Sequence, residues 1–288
     1  MDLKTIGFLL LSLLAFAANS VLCRLALGSE QIDPASFTVI RIMSGAVVLG
    51  LLLLLRNPKL MSQHSSRGSW PGALSLFVYA VAFSYAYMTL STGTGALILF
   101  GTVQVTMIIE AIVKGHKVSR FELAGVALAF GGMTYLMLPS LSTPSLFGFL
   151  LMFISGIAWG FYTLIGQRSE SPLSDTGFNF IRCIPFAFIL LIAMVSNLQI
   201  QMQGVLLAAL SGALASGIGY AIWYRVLPNL SHSVAAVSQL SVPVIAAIGG
   251  LIWVAEPFTP RLMIASLLVL GGIAIVIYAK NQMNRKEG

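Results

Sequence analysis

Apolar residues follow one another along this chain in runs of about twenty, separated by short polar or Pro/Gly-rich intervals. Ten runs stand out, at about 5–23, 36–55, 70–90, 94–113, 120–138, 147–166, 177–196, 204–223, 233–254 and 260–279. A bilayer core about 30 Å thick needs about 20 apolar residues per helix, so each run predicts one crossing. The pattern predicts an all-α integral membrane protein of ten transmembrane helices. The longest polar interval, "RNPKLMSQHSSRGSW" at residues 56–70, is too short to fold alone, which excludes a soluble domain between the runs.

Composition agrees with the pattern. Of the 288 residues 58% are hydrophobic and 9% charged, with mean hydropathy +0.93, whereas a soluble domain carries about 25% charged residues. The small residues of "AFAA" at 15–18 resemble a signal-peptidase site, but the first run is long for a signal peptide and starts weakly basic, so it reads as a retained helix. Cys23 and Cys183 fall in or at the end of runs, where cysteine serves as a small apolar filler. They do not report the redox compartment.

The net charge of +7 would suit nucleic acid, but its placement argues for topology instead. With the amino terminus in the cytoplasm, Lys4, Arg56, Lys59, Arg67, Lys114, Lys117, Arg120, Arg168, Arg225, Lys280, Arg285 and Lys286 all fall on that side. Only Arg24 and Arg261 fall outside, and Arg41 and Arg182 lie within runs. The positive-inside rule therefore predicts both termini in the cytoplasm, in what reads as a bacterial-type inner-membrane protein, and anionic lipid rather than nucleic acid is the expected partner of the excess charge.

The chain also repeats itself. "LSTGTGALILF", starting at Leu90, lies over "LSHSVAAVSQL", starting at Leu230, a shift of 140 residues that also brings Gly131-Gly132 onto Gly271-Gly272. A shift of 141 brings Arg41 of "VIRI" onto Arg182 of "FIRC". Five crossings per repeat is odd, so the second unit enters from the opposite side. Two inverted five-helix repeats, 1–143 and 144–288, follow, the plan by which secondary transporters open a midplane site to each face in turn.

Burying an arginine at the middle of a span costs about 2.5–3.5 kcal/mol on insertion scales. Arg41 and Arg182 lie five to eight residues from a run end, so snorkelling to the headgroups is one reading. The other is that they face the bundle, cap carbonyls or anchor a gate, and draw anionic substrate groups.

At these residues the chain resembles the drug/metabolite transporter superfamily, in its ten-helix EamA-like branch. The family half-repeat pattern is matched in the second half by Val226-Leu227, Ser231, Ala235-Ala236, Pro243, Glu256 and Gly271-Gly272. The first half keeps Leu90, Ser91, Ala96 and Gly131-Gly132 but has Val103 for the mid-helix proline and His116 for the glutamate. The resemblance implies helices 1, 3, 4, 6, 8 and 9 around a central cavity, helices 5 and 10 at the periphery or a dimer contact, and export of a metabolite. It also makes Pro243 and Glu256, with Arg41 and Arg182, candidate gating or structural positions. Pro243, read as lying within helix 9, would free a carbonyl there. Independently, Ser211, Ala215 and Gly219 of "SGALASGIG" have the four-residue spacing of small residues that lets helices approach closely in lipid, which makes helix 8 an inner helix.

Polar and aromatic residues inside the runs are the substrate-binding candidates, because a polar group facing lipid is penalised: Asn19, Tyr79, Gln104, Trp159, Tyr162, Tyr220 and Gln239. For each the competing role is a helix-to-helix hydrogen bond or an interfacial belt position. Glu110 is the one carboxylate well inside a run. It is a possible coupling residue, but it stands four residues before Lys114, the spacing of a structural ion pair. The first helix has no carboxylate beyond Asp2, unlike the small multidrug exporters of the superfamily, so a neutral or zwitterionic solute such as an amino acid fits better than a cationic drug.

Enzyme readings find no support: HExxH, GxGxxG and DDxxD are absent, and His64, His116 and His232 lie in loops or at a span end. No catalytic residue, metal or cofactor is assigned. The sequence thus predicts a secondary transporter of a small organic metabolite, with a small-molecule substrate and membrane lipids as partners, as a monomer or homodimer. The alternatives are a proton-coupled multidrug exporter and a non-transporting sensor or assembly subunit.

Overall fold

The computed structural model describes residues 3–56, 67–115, 119–138, 144–167, 169–226, 230 and 238–287. Among them it contains ten helices and no strand, only an isolated antiparallel bridge between Ile32 and Ile200. The helices are α1 (Leu3–Gly28), α2 (Pro34–Arg56), α3 (Trp70–Ala86), α4 (Thr92–Val113), α5 (Arg120–Met137), α6 (Leu146–Gly166), α7 (Pro172–Ala193), α8 (Met202–Val226), α9 (Val242–Trp253) and α10 (Pro260–Glu287). Seven of them, α1, α2, α4, α6, α7, α8 and α10, are long and apolar enough to cross a membrane, and α3 and α9 are shorter apolar helices of 17 and 12 residues. Local signals set their starts. Ser69 and Ser145 accept backbone N–H bonds as N-caps of α3 and α6, and Ser119 with Glu122 closes a full capping box on α5.

Pro243 occupies the first turn of α9, whose described helix begins at Val242. That corrects the reading of it as a mid-helix proline, since a first-turn N–H has no intrahelical partner to lose. The proline inside a helix is Pro185, in α7. His116, Arg168, Leu227, Ser231 and Ala235-Ala236, together with much of the first turns expected for the ninth span, lie outside the described residues.

Packing contacts come in exchange pairs under a shift of five helices. α3 packs on α6 as α8 packs on α1; α4 on α6 as α9 on α1; α2 on α8 as α7 on α3. α2 meets α7, α4 meets α9 and α5 meets α10, each pair its own mate. The Gly-Gly doublets act at the last contact. A Cβ on Gly132 would stand 2.8 Å from the Leu268 Cβ, and one on Gly272 would stand 2.4 Å from the Gly125 carbonyl oxygen, whereas Gly131 and Gly271 face open space. Gly132→Ala is therefore expected to cost about 1–3 kcal/mol by overpacking. Gly131→Ala should change stability by less than about 1 kcal/mol; thermal unfolding of the two purified variants compares them.

The basic end of the bundle holds the last turns of α2, α6 and α8 and the first turns of α3 and α7; the far end holds the last turn of α1, the α3–α4 turn and the α9–α10 loop. Gly68 N–H donates to Asp175 Oδ1 at 2.7 Å and Ser69 N–H to Asn179 Oδ1 at 2.8 Å, so the segments leading into α3 and α7 meet at the same end.

Candidate functional site

Arg41 lies on α2 about two turns past its start, and it is buried, with 2% exposure. Its partners are neutral. Nη2 donates to the Tyr79 hydroxyl of α3 at 2.8 Å and Nε to Ser216 Oγ of α8 at 3.3 Å, while the guanidinium carbon lies 5.1 Å from the Tyr79 ring centroid and 4.9 Å from that of Phe83. Nη1 has no hydrogen-bond partner among the described residues. Ring faces stabilise a desolvated guanidinium by about 2 kcal/mol, which offsets much of its burial.

Tyr79 joins this cation to α1. Its hydroxyl also accepts from Asn19 Nδ2 at 3.1 Å, and Asn19 Oδ1 in turn accepts from Ser211 Oγ of α8. The backbone explains why α8 can reach both helices. From Ser211 to Ile218 it widens into a π-helical segment, a form frequent at functional sites. Its small residues face two ways: a Cβ on Gly219 would stand 2.7 Å from the Ala15 Cβ of α1, and one on Gly212 only 2.1 Å from the Arg41 carbonyl oxygen of α2.

Beside this network is a void of about 20 Å³ lined by Phe16, Asn19 and Ser20 of α1, Tyr79 and Phe83 of α3, Leu99 and Phe100 of α4, Trp159 of α6 and Tyr220 of α8. The rings form a continuous column. Tyr87, Phe83, Tyr79, Trp159 and Tyr162 follow at centroid spacings of 4.7, 5.4, 4.7 and 5.3 Å, and Tyr220 joins Trp159 at 5.1 Å. Five helices of the six implied by the resemblance line the void; α9 packs behind, on α1 and α4.

At the far end the elements are tied together. Arg24 Nε pairs with Glu256 Oε1 at 2.8 Å, Arg24 Nη1 donates to the carbonyls of Tyr87 and Met88 at 2.9 and 3.1 Å, and Glu256 Oε2 accepts the Thr92 N–H at 2.7 Å. This joins α1, the α3–α4 turn and the α9–α10 loop. Ala255, just before Glu256, has φ 56°, a left-handed conformation costing about 1–2 kcal/mol for a residue with a Cβ.

At the basic end a cavity of about 330 Å³ opens between α3, α6, α7 and α8, lined by Ser69, Tyr162, Glu170, Asp175, Asn179 and Tyr224 among others. Its inner wall is Tyr162, whose buried hydroxyl has no hydrogen-bond partner among the described residues. Trp159 and Tyr162 therefore stand between the wide cavity and the central void. Arg182 lies partly buried by this cavity, its guanidinium carbon 5.6 Å from the Trp70 ring centroid and Nη1 unpartnered among the described residues.

Of the candidates read from the sequence, Asn19, Tyr79, Trp159 and Tyr220 meet at the void and Tyr162 adjoins them. Gln104 is buried on α4 and Gln239 is half-buried ahead of α9, and neither lines the two cavities. Sequence reading leaves Ser216 and Phe83 out of the site, and takes Ser211 only as a small packing residue and Arg24 only as an outside charge. One signal is present in the chain: Tyr79 and Tyr220 are 141 residues apart, the shift that superposes Arg41 on Arg182. Glu110 pairs with Lys114, the C-cap residue of α4, and lines neither cavity. A pair of this kind, with Lys114 exposed and Glu110 half-buried, is worth about 1 kcal/mol, so Glu110→Gln is expected to leave transport within about twofold of wild type, as initial rates of flux will show.

Comparison with known proteins places this geometry. The model of the EamA-like transporter family matches residues 3–138 and 146–278. An uncharacterized protein of Pseudomonas aeruginosa is 48% identical over 287 residues, covering 100% of this chain and 99% of that one. A probable amino-acid metabolite efflux pump of Salmonella typhimurium is 24% identical over 220 residues, 71% of this chain and 74% of that protein. A solved crystal structure with 18% identity and TM-score 0.62, covering 94% of this chain and 98% of its own, shares the fold. A multi-pass bundle that encloses a polar, aromatic-walled void, together with a family match spanning nearly its whole length, makes this chain a membrane transporter and not an enzyme: it belongs to the EamA-like transporter family.

Proposed function

We propose that the protein exports a small neutral or zwitterionic metabolite of the amino-acid class across the inner membrane by alternating access, with both termini and the basic end in the cytoplasm. In this reading residues 1–143 and 144–288 are inverted five-helix repeats, and the structure holds the far, periplasmic end shut. The exchange pairing of helix contacts supports the repeat, and the excess of basic residues at one end supports the orientation. The amino-acid class is supported by the printed name of the Salmonella relative and by a void lined with hydroxyl, amide and aromatic groups.

One observation carries the reading. A polar cluster drawn from α1, α2, α3 and α8 lies between a latch at one end and an enclosed approach from a wide cavity at the other. A binding group reached from one face at a time is what alternating access requires. Proteoliposomes loaded in turn with each radiolabelled L-amino acid test it. At least one should leave faster than from protein-free liposomes, and Asn19→Ala should slow it at least tenfold. Loss of no amino acid above the control rate would contradict the assignment.

A further inference from the structure

We infer that Arg41 is the anchor for a carboxylate of the transported solute, with the Tyr79 and Tyr220 hydroxyls as auxiliary donors; this deepens, and rests on, the transporter reading above. The observation is an imbalance of donors. Among the described residues Arg41 pairs with no carboxylate, Nη1 is buried without any acceptor, and Nη2 is held only by a neutral phenol. Guanidinium offers a planar fork that a carboxylate fills with two parallel hydrogen bonds. Here that fork is one acceptor short and one negative charge short.

The neighbours are polarised the same way. The Tyr79 oxygen accepts from both Arg41 and Asn19, which uses its two lone pairs, so its own proton must be donated onward. Tyr220 lines the same void. If Tyr79 donates to Tyr220, the proton of Tyr220 is still left over, so the pair always presents one donor at the void they both line. Asn19 does not answer that need, because it turns its Nδ2 to the Tyr79 hydroxyl and its Oδ1 to Ser211, and so acts as the donor in this contact. Arg41 stands behind Tyr79 rather than in the wall of the void, so a carboxylate that takes the place of the Tyr79 oxygen on Nη2 would gain that donor and the spare phenolic proton and would neutralise the cation.

The remaining wall suits the other end of an amino acid. Trp159, Tyr220 and Phe16 follow one another at centroid spacings of 5.1 and 5.8 Å, and aromatic faces attract an ammonium group. Among the described residues no Asp or Glu lines the void. A solute that carried only positive charge would meet the Arg41 charge with nothing to offset it. Because the void is about 20 Å³, binding requires Tyr79 and Trp159 to part, which couples recognition of the carboxylate to movement of the aromatic column.

The test uses purified full-length protein in lipid nanodiscs, with binding read by isothermal titration and by thermal shift. The probes are the twenty L-amino acids and their amides, plus 3-phenylpropanoate, 3-phenylpropanamide and 3-phenylpropylamine as a matched acid, amide and amine. For every skeleton that binds, the acid is expected to bind at least tenfold more tightly than its amide. Arg41→Lys should narrow that ratio, and Arg41→Met should remove it. Tyr79→Phe, which keeps the ring and fold, should lower acid affinity severalfold with little effect on the amide. If 3-phenylpropanoate binds with this Arg41 dependence while no amino acid binds, the amino-acid assignment fails and the anchor stands. Equal binding of acids and amides, binding of the amine alone, binding of no probe, or an acid-to-amide ratio unchanged in Arg41→Lys and Tyr79→Phe overturns the anchor.

Discussion

Glu256→Gln is expected to loosen the far end of the bundle, raising the reactivity of a cysteine placed at Ser20 toward a membrane-impermeant maleimide added from that face by about five- to a hundredfold, in a background with Cys23 and Cys183 replaced. Arg24 and Glu256 are mostly buried, with side-chain exposures of 20% and 13%. Removing one partner of such a pair leaves the other charge poorly compensated. That costs about 3–5 kcal/mol when burial is complete, and less here because water reaches both groups. A destabilisation of about 1–3 kcal/mol confined to the latched state shifts a two-state equilibrium by about five- to 150-fold. The substituted glutamine would still accept the Thr92 N–H bond, so the loss reports the charge pair. Arg24→Glu combined with Glu256→Arg should recover part of the closure, although a guanidinium in place of the Glu256 carboxylate could no longer accept from Thr92. Unchanged labelling in Glu256→Gln would mean that the pair is a static contact.

Gly212→Ala should be the most damaging of the small substitutions. Its Cβ would lie 2.0 Å from Ser44 Oγ and 2.1 Å from the Arg41 carbonyl oxygen. Ser44 can rotate away, but a backbone oxygen cannot, so α2 and α8 must separate. Overpacking of a close backbone contact costs about 1–3 kcal/mol or more, and the shift also pulls Ser216 away from Arg41 Nε. A lowered thermal midpoint together with weaker solute binding is the expected pair of effects. Gly50→Ala on the same α2, which meets nothing within 4 Å, is the control and should be nearly silent.

These two sites mark where the sequence is legible and where it is not. Runs of apolar residues place the helices well because each must satisfy its backbone internally in lipid, and the run at 94–113 corresponds to α4 at Thr92–Val113. Polar residues in runs locate Asn19, Tyr79, Trp159 and Tyr220. The same rule also chooses Gln104 and Gln239, because being polar within a run does not say which side of the helix a residue is on. The small size that marks Ser211 as a packing residue hides its hydroxyl, and that of Ser216, as polar links, yet they tie α8 to α1 and α2. The widening of α8 into π-helix, which aims them at two different helices, has no local signature in "SGALASG". Arg24 looks like an outside loop charge because its partner is 232 residues away. Pro243 misleads for a different reason: its effect depends on where the helix begins.

The central claim is that the two ends open in opposition about the Arg41–Tyr79 cluster, and paired distances test it most directly. Spin labels at Ser29 and Met88 span the far end, and labels at Glu170 and Arg225 span the basic end; all four positions are exposed. On adding a solute that the protein transports, the account predicts that the Ser29–Met88 distance lengthens while the Glu170–Arg225 distance shortens, with Glu256→Gln shifting both the same way in its absence. Two distance distributions that stay fixed, or that lengthen together, while the same preparation carries out flux would contradict it.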